Sequence, residues 1–428
     1  MIPGKNDQAS SERAGFRVMF ALAAGYVGIY LCRKNLSVAV PMLQQSFGAT
    51  KQQIGIVASL GTLAYAAGKV INGPLVDRLG GRLGFLISLV GVALFGAAGA
   101  FAPGLWALTL FYGLNRFVGS AAWGAMIKLV PSWFGRARTG TALGVLSLSY
   151  VAGGALATLF ARQIVASGGG WRAVMGLPSV ALLLIGALCA FLVRSGPLAP
   201  APAVATTVTT TATEDPRRPF AATLALLRRP QFLVVCALSF TITLMRESFN
   251  TWSVDFLVSI QGGAPSLASA ALQSTGFDLA GFISIFAAGY AYDRIHPGQR
   301  RWWMAGCLLM LAGVLAVLPR AAAGSPLYAA VLVGAVGLLV YGPYSLLAGV
   351  LAVESGGTEQ AATAAGIIDG VGYLAGALAG VALGRVLDLG GYSLGFRILA
   401  GITAASALIA LALRPAPAPP PSSPDQSL

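Results

Sequence analysis

The sequence predicts an all-α membrane protein in which 12 transmembrane helices form two pseudo-symmetric six-helix bundles. Hydrophobic residues make up 56% of the 428 residues and charged residues only 10%, and the mean hydropathy is +0.77. Soluble domains carry roughly 25% charged residues, so this balance indicates a chain that crosses a membrane many times. Apolar stretches near the ~20 residues needed to span a bilayer core, together with a weak internal repeat, predict the two-bundle arrangement.

The apolar stretches fall into two sets of six with a polar segment between them. The stretches are 16–40, 52–76, 83–102, 104–130, 138–163 and 171–193, then 231–258, 266–292, 301–319, 325–352, 361–388 and 393–413. We therefore divide the chain into an N-terminal bundle (1–194), a cytoplasmic linker (195–230), a C-terminal bundle (231–414) and a disordered tail (415–428). The linker is rich in Pro, Ala and Thr and the tail in Pro, so neither buries enough apolar surface to fold.

The basic residues are sorted between alternate loops. The even-numbered loops and the two termini hold sixteen Lys and Arg residues, whereas the odd-numbered loops hold five. By the positive-inside rule, both termini are predicted to be cytoplasmic. The net charge of +14 then reflects topology and predicts no nucleic-acid partner. The polar start leads into a first stretch too long for a signal-peptide core, so we expect a retained first helix. We also expect a monomer in a bacterial-type inner membrane.

Cysteine and histidine usage argues against catalysis. The four cysteines lie singly in apolar stretches without CxxC spacing, and the only histidine, His296, lies in a loop. Such a set offers neither a metal cluster nor a histidine proton relay. We expect no enzyme activity, no cofactor and no metal.

Two arginines interrupt apolar stretches at equivalent points of the two halves. Arg33 and Arg246 lie 213 positions apart, and a guanidinium at the bilayer centre costs roughly 2.5–3.5 kcal/mol on insertion scales. Each arginine either reaches a headgroup or neutralises a carboxylate, or the two form a symmetric site for an anion where the repeats meet. We favour the anion site.

A short loop signature repeats at nearly the same offset. Asp77 and Arg78 follow the second stretch, and Asp293 and Arg294 follow the eighth, 216 positions later. One copy would fit a turn with positive-inside charges, but two copies favour a conformational latch in which the Asp pairs with an Arg of a neighbouring loop. Small residues four apart in the fifth and eleventh stretches predict close helix contact.

These features resemble the major facilitator superfamily, and within it the organophosphate:phosphate antiporters, the glycerol-3-phosphate and hexose-phosphate transporters. The motifs that carry the resemblance are Tyr26-Val-Gly-Ile-Tyr30-Leu-Cys-Arg33-Lys34-Asn35, Ala67-Gly68-Lys69, Trp123, Arg246 through Trp252-Ser253, Asp278 and Tyr373. The resemblance implies the major facilitator fold and an alternating-access exchanger. One position departs from the pattern, because Tyr150 stands where those transporters carry a histidine. A tyrosine can donate a hydrogen bond to phosphate but cannot switch charge near neutral pH.

The expected substrate site combines cations with aromatic side chains. Arg33 and Arg246 would clamp a phosphate group with their forked N–H donors, while Lys69 either adds a third cation or reaches towards a membrane face. The remaining candidates either line the cavity or only pack: Tyr26, Tyr30, Tyr65, Trp123, Tyr150 and Tyr373.

Three carboxylates accompany these cations. Glu247, Asp278 and Asp369 lie inside apolar stretches, where they either carry a coupling proton or neutralise a nearby cation. We favour neutralisation, of Lys69, Lys128 or Arg116. Neighbouring helical residues point about 100° apart, so Glu247 is expected to pair across the bundle or to face away from Arg246.

The preferred function is exchange of a phosphorylated organic anion, of the glycerol-3-phosphate or sugar-phosphate type, for inorganic phosphate. One alternative is a proton- or sodium-coupled symporter for organic carboxylates such as sugar acids. A second is a transporter-like sensor that binds a sugar phosphate and signals to a membrane kinase.

Overall fold

The computed structural model describes residues 5–194, 226–261, 267–322, 325–347, 351, 354 and 361–413. The described residues form helices, joined by short turns and one 3-10 turn at Pro297–Gln299. Most of the predicted linker and the whole predicted tail lie outside the described residues. The predicted division of the chain into bundles stays a prediction at those points.

The N-terminal half contains α1 to α7 and the C-terminal half α8 to α12. The first group is α1 (Lys5–Phe47), α2 (Lys51–Leu79), α3 (Gly81–Ala100), α4 (Leu105–Gly119), α5 (Ala121–Leu129), α6 (Pro131–Ala166) and α7 (Trp171–Leu192). The second group is α8 (Pro230–Gln261), α9 (Leu267–Arg294), α10 (Arg300–Ala322), α11 (Pro326–Leu346) and α12 (Ala361–Ala410).

Local sequence explains several helix boundaries. Thr50 and Gln53 form a reciprocal capping box at the start of α2, in which each side chain accepts a hydrogen bond from the other residue's backbone N–H. Such a cap satisfies donors that the helix itself leaves free. Gly80, with φ of 84°, separates α2 from α3, a conformation that favours glycine. Pro131 begins α6, where its missing N–H is not needed.

Ten helical segments are long and apolar enough to cross a membrane among the described residues. Two differences separate this number from the twelve predicted stretches. The predicted fourth stretch is divided into α4 and α5 by a break at Ser120, and each part is short. The predicted eleventh and twelfth stretches form two helices that follow one another directly within α12, separated by a kink of non-helical backbone at Gly390 and Gly391.

Two pairs of helices make most of the contact between the halves. Helix α2 packs against α12 and α6 packs against α9, with a smaller contact between α1 and α8. In the predicted order of stretches, the first pair joins the second and eleventh stretches and the second pair joins the fifth and eighth. The two pairs are equivalent, because interchanging the halves turns one pair into the other. Helices α2 and α12 run antiparallel, since Lys51 meets Asp388 at one end and Lys69 meets Asp369 further along.

Candidate anion-binding cavity

A cavity of about 50 Å³ lies between the halves, room for only a few water molecules at ~10–15 Å³ each. Its wall takes residues from α1, α2, α4 and α6 of one half and from α8, α9 and α11 of the other. Among the described residues, six charged side chains line it: Arg33, Lys34, Arg116, Arg246, Glu247 and Asp278. Four cations against two carboxylates give the wall a formal net charge of +2.

Arg33 of α1 lies among tyrosines rather than beside an acid. Its Nη1 donates to the Tyr30 hydroxyl at 3.3 Å, and its guanidinium carbon lies 5.1 Å from the Tyr30 ring centre and 5.0 Å from that of Tyr65. Cation–π contacts stabilise a desolvated guanidinium while leaving most of its N–H donors unused. Arg33 therefore has donors to offer an anion.

Arg246 of α8 is buried, with 8% of its surface exposed. Its Nη2 donates to Glu247 Oε1 at 2.5 Å, and its guanidinium carbon lies 4.0 Å from the Tyr344 ring centre. Its Nε has no hydrogen-bond partner among the residues that the structure describes. The expectation that Glu247 faces away from Arg246 is therefore wrong. Both side chains line the cavity, and their length lets them meet there although their Cα–Cβ directions diverge.

The second carboxylate of the cavity joins the two halves. Asp278 of α9 accepts two bonds from Lys34 Nζ of α1, at 3.0 and 2.8 Å, and one from the Tyr341 hydroxyl at 3.0 Å. The sequence argument named Lys69, Lys128 or Arg116 as cations for the carboxylates. For Asp278 that expectation is wrong, because tertiary packing places Lys34 of the other half against it.

Lys69 pairs with Asp369 outside the wall of this cavity. Its Nζ lies 3.4 Å from Asp369 Oδ2 and 5.1 Å from the ring centre of Tyr373, which itself packs against Tyr65. The pair links α2 to α12. Neutralisation of Lys69 by Asp369 is thus the observed contact, and a substrate-binding role for Lys69 and Tyr373 stays a prediction.

The predicted aromatic residues separate into groups. Tyr30 and Tyr150 line the cavity, with ring centres 6.3 Å apart. Tyr26 and Tyr65 line a smaller adjoining cavity that also touches Arg33 and Arg116. Trp123 packs on Tyr26, with ring centres 5.6 Å apart, and supports it from behind.

Arg116 of α4 is the functional candidate that sequence reasoning undervalued. It is 5% exposed, and its guanidinium carbon lies 4.9 Å from the Tyr65 ring centre. Its buried Nε has no hydrogen-bond partner within the described part of the chain. The signal was present in the sequence, because Arg116 interrupts the stretch 104–130 as Arg33 interrupts 16–40. It was considered only as a partner for a carboxylate.

The predicted latch residues lie away from the cavity. Lys128 Nζ donates to Asp77, at 2.6 Å to its backbone oxygen and 3.2 Å to Oδ1, so the partner is a lysine of the same half rather than an arginine. Arg78 is exposed, and Arg294 lies 3.5 Å from the Tyr290 ring centre. The side chain of Asp293 lies outside the described residues.

Two helical halves around a charged cavity are the architecture of a secondary transporter of the membrane. The chain belongs to the Major Facilitator Superfamily, because residues 22–380 match the sequence profile of that family. It is 26% identical to the membrane sensor protein UhpC of Escherichia coli over 92% of this chain and 91% of that protein. It is also 26% identical to the glycerol-3-phosphate transporter of Bacillus subtilis, over 91% and 90% of the two chains.

A solved structure has the same fold. It is a bacterial homologue of the human lysosomal transporter Spinster in an inward-facing, unoccupied conformation, with a TM-score of 0.73 and 15% identity. The match covers 94% of this chain and 96% of that one. The predicted fold class is confirmed at the level of an all-helical, multi-pass membrane protein of this superfamily. For function, the comparisons show membership of a transporter family whose listed relatives include organophosphate transporters and a sensor.

Proposed function

We propose that this protein exchanges a phosphorylated organic anion, of the glycerol-3-phosphate or sugar-phosphate type, for inorganic phosphate by alternating access. The main observation that supports this proposal is the formal net charge of +2 on the cavity wall between the halves. A phosphate monoester carries about −1.5 to −2 at neutral pH, so it matches this excess. A relative that is itself a glycerol-3-phosphate transporter supports the same substrate class.

The clamp would use one arginine from each half. Arg33 belongs to α1 and Arg246 to α8, and each guanidinium can present two parallel N–H donors to a tetrahedral oxyanion. In this structure the carboxylate of Glu247 is bonded to Arg246. A bound anion would replace that contact, bridge the halves and lower the barrier to their rocking, whereas an empty site holds cations that repel one another. Exchange should therefore be much faster than net transport.

The carboxylate symporter is less well supported by the geometry. It requires Glu247, Asp278 or Asp369 to bind and release a proton, yet each is bonded to a cation, namely Arg246, Lys34 and Lys69. These pairs favour the neutralising role. We further propose 12 membrane crossings, as the apolar stretches predict, and cytoplasmic termini, as the sorted basic residues predict. A monomer in a bacterial inner membrane completes the proposal.

The test is exchange in proteoliposomes that contain unlabelled phosphate inside and receive labelled phosphate outside. We expect uptake that depends on internal phosphate and that glycerol-3-phosphate or glucose-6-phosphate inhibits. Uptake of glucuronate driven only by a proton gradient would contradict the proposal and favour the symporter.

Two matched variants sharpen this experiment. Arg33→Lys keeps the charge and removes the fork, so we expect at least ~10-fold weaker phosphate affinity, equivalent to about 1.4 kcal/mol. Arg172→Lys makes the same change at an exposed residue that packs on Trp171 and should leave affinity unchanged. Full affinity in Arg33→Lys would eliminate the clamp.

The similarity to a membrane sensor supports one second candidate, a protein that binds a sugar phosphate and signals. Binding of phosphate by the purified protein without exchange in proteoliposomes, together with co-purification of a membrane kinase, would favour sensing over transport.

A further inference from the structure

Only two of the four cations in the cavity wall are paired with a carboxylate among the described residues. Lys34 is bonded to Asp278 and Arg246 to Glu247. Arg33 and Arg116 have no carboxylate partner among the described residues. The net positive charge of the wall therefore resides on these two arginines, which both belong to the N-terminal half.

Arg116 is an unusual residue for a purely structural role. It is 5% exposed and no hydrogen bond to its side chain is found in the part of the chain that the structure describes; its Nε is buried and unpaired. Buried polar groups normally have partners, because an unsatisfied one loses its hydration without replacement. The position near the C-terminal end of α4 favours a cation, but that effect is available at the surface and does not require burial in a cavity wall.

Arg116 and Arg33 lie close enough to act on one group. Their guanidinium carbons lie 4.9 and 5.0 Å from the centre of the same Tyr65 ring, so they are within about 10 Å of each other. Both residues also line the main cavity and the smaller one beside it. An anion entering from the main cavity meets these two guanidinium groups on the N-terminal side.

We propose that Arg33 and Arg116 form a two-arginine subsite that binds the phosphoryl group of the substrate as a dianion. The inference rests on the proposed function and adds a charge requirement to it. Two unpaired guanidinium groups match the two negative charges of a phosphate monoester or of inorganic phosphate. A singly charged phosphodiester or a sugar carboxylate would leave one buried cation uncompensated.

The residues give this subsite a different character from the Arg246 side. Arg246 must first lose Glu247, whereas Arg33 and Arg116 need only leave the face of a tyrosine. The anion is therefore held first by the N-terminal half, and Arg246 contacts it as the halves approach. Arg116 favours doubly charged substrates because it pairs with the second negative charge of the phosphoryl group.

The test compares a dianion with a monoanion of similar shape. Equilibrium binding to the purified full chain is measured with glycerol-3-phosphate and inorganic phosphate as dianions, and with dimethyl phosphate, a diester that carries one charge at neutral pH. We expect the parent protein to bind the monoester at least ~10-fold more tightly than the diester. Arg116→Gln should lose roughly 10-fold or more in monoester affinity, as expected for a charge-assisted bond, and change diester affinity by less than about twofold.

Control variants separate the subsite from general effects. Arg172→Gln removes an exposed arginine and should alter neither affinity. If Arg116→Gln fails to fold, Arg116→Met removes the same charge and should narrow the monoester preference in the same way, whereas Arg116→Lys keeps the charge and should largely retain that preference. Equal losses for monoester and diester, or no loss for either, would overturn the proposal.

The outcome is distinguishable from failure of the proposed function. A parent protein that neither binds nor exchanges phosphate refutes the antiporter and the subsite together. A parent protein that exchanges phosphate while Arg116→Gln retains its monoester preference refutes the subsite alone.

Discussion

The interface between the two halves differs between its two ends. At the end that contains the α1–α2 turn, Asp388 of α12 accepts hydrogen bonds from the backbone N–H groups of Lys51 (2.9 Å) and Gln52 (2.8 Å). These are the first residues of α2, whose N–H groups have no partner within the helix. The C-terminal half thus supplies the carboxylate that the start of α2 favours.

An ion pair between a partly exposed lysine and a buried carboxylate crosses the interface at the same end. The side chain of Lys51 in α2 is bonded to Asp255 in α8, and the Tyr392 hydroxyl donates to the same carboxylate. Asp255 is only 5% exposed. A buried carboxylate needs such donors, and here one of them comes from the opposite half.

Close backbone contact accompanies these bonds. A Cβ at Gly380 would lie 2.5 Å from the backbone oxygen of Gly55, and one at Gly384 would lie 2.6 Å from that of Lys51. The predicted small-residue spacing in the eleventh stretch therefore serves helix contact, as expected for membrane helices.

The end near the chain termini lacks this arrangement. The Lys69–Asp369 pair is the last described ion pair between the halves in this direction, and beyond it the described ion pairs remain within one half, as between Asp77 and Lys128 and between Arg300 and Glu354. A Cβ at Gly73 of α2 or at Gly366 of α12 would meet no described atom within 4 Å. The same two helices thus touch at one end and separate at the other. With the predicted orientation, the end near the termini would be the cytoplasmic end.

We expect the largest effect from Lys51→Met, because it leaves the buried Asp255 without its cation. Removing one partner of a buried ion pair typically costs about 3–5 kcal/mol. We call the end of the interface that contains Lys51, Asp255 and Asp388 the sealed end; separation of the halves there would hydrate the carboxylate of Asp255 and relieve this cost. The sealed population should fall by ~100-fold or more. The measurement is the distance between nitroxide labels at Gln45→Cys and Leu389→Cys, both at exposed positions, since the native cysteines are buried.

The double variant Lys51→Met with Asp255→Asn provides the control. It removes the buried charge together with its partner, so most of the sealed population should return. An unchanged label distance in the single variant would show that the pair does not hold this end closed.

Gly380→Leu should have the next largest effect. A leucine side chain would meet the backbone of α2, and overpacking typically costs about 1–3 kcal/mol, so the sealed state should lose roughly 10- to 100-fold in population. Gly366→Leu makes the same change in the same helix at a position with open space. The same label pair should separate in the first variant and not in the second; equal effects would contradict the assignment of the sealed end.

Asp388→Asn should have a smaller effect. The amide retains an oxygen acceptor but loses the charge that favours the start of α2, typically worth about 0.3–1 kcal/mol. We expect the ratio of open to sealed populations to rise roughly two- to fivefold, as measured by the distance between the same two labels. Asp388→Ala, which removes both acceptors, should shift it further. No difference between Asn and Ala would show that the hydrogen bonds to Lys51 and Gln52 contribute little.

Some of this arrangement was accessible from sequence because its signal is local. A charge within an apolar stretch identifies a residue that needs a partner or a ligand, and Arg33 and Arg246 do line one cavity from opposite halves. Stretch length likewise predicted most spans. The boundary predicted between the eleventh and twelfth stretches, 361–388 and 393–413, coincides with the kink at Gly390 and Gly391, where one helix follows the other without a loop.

The rest depends on contacts between distant residues. Lys34 and Asp278 are 244 residues apart, and Lys51 and Asp388 are 337 apart. No local pattern pairs such residues, because the pairing follows from how the two halves pack. Lys51 reads in the sequence as an ordinary loop lysine, yet the structure makes it the centre of the sealed end.

The smallest effect is expected from Asp77→Asn, at the opposite end. Its bond to Lys128 is solvent-exposed and lies within one half, and exposed pairs contribute about 0–1 kcal/mol. The label distance at the sealed end should not change, and phosphate exchange should stay within about twofold of the parent protein. A large loss of exchange with an unchanged distance would instead mean that Asp77 acts in the opposite conformation, when the end near the termini closes, and would return the repeated Asp-Arg signature to the role of a latch.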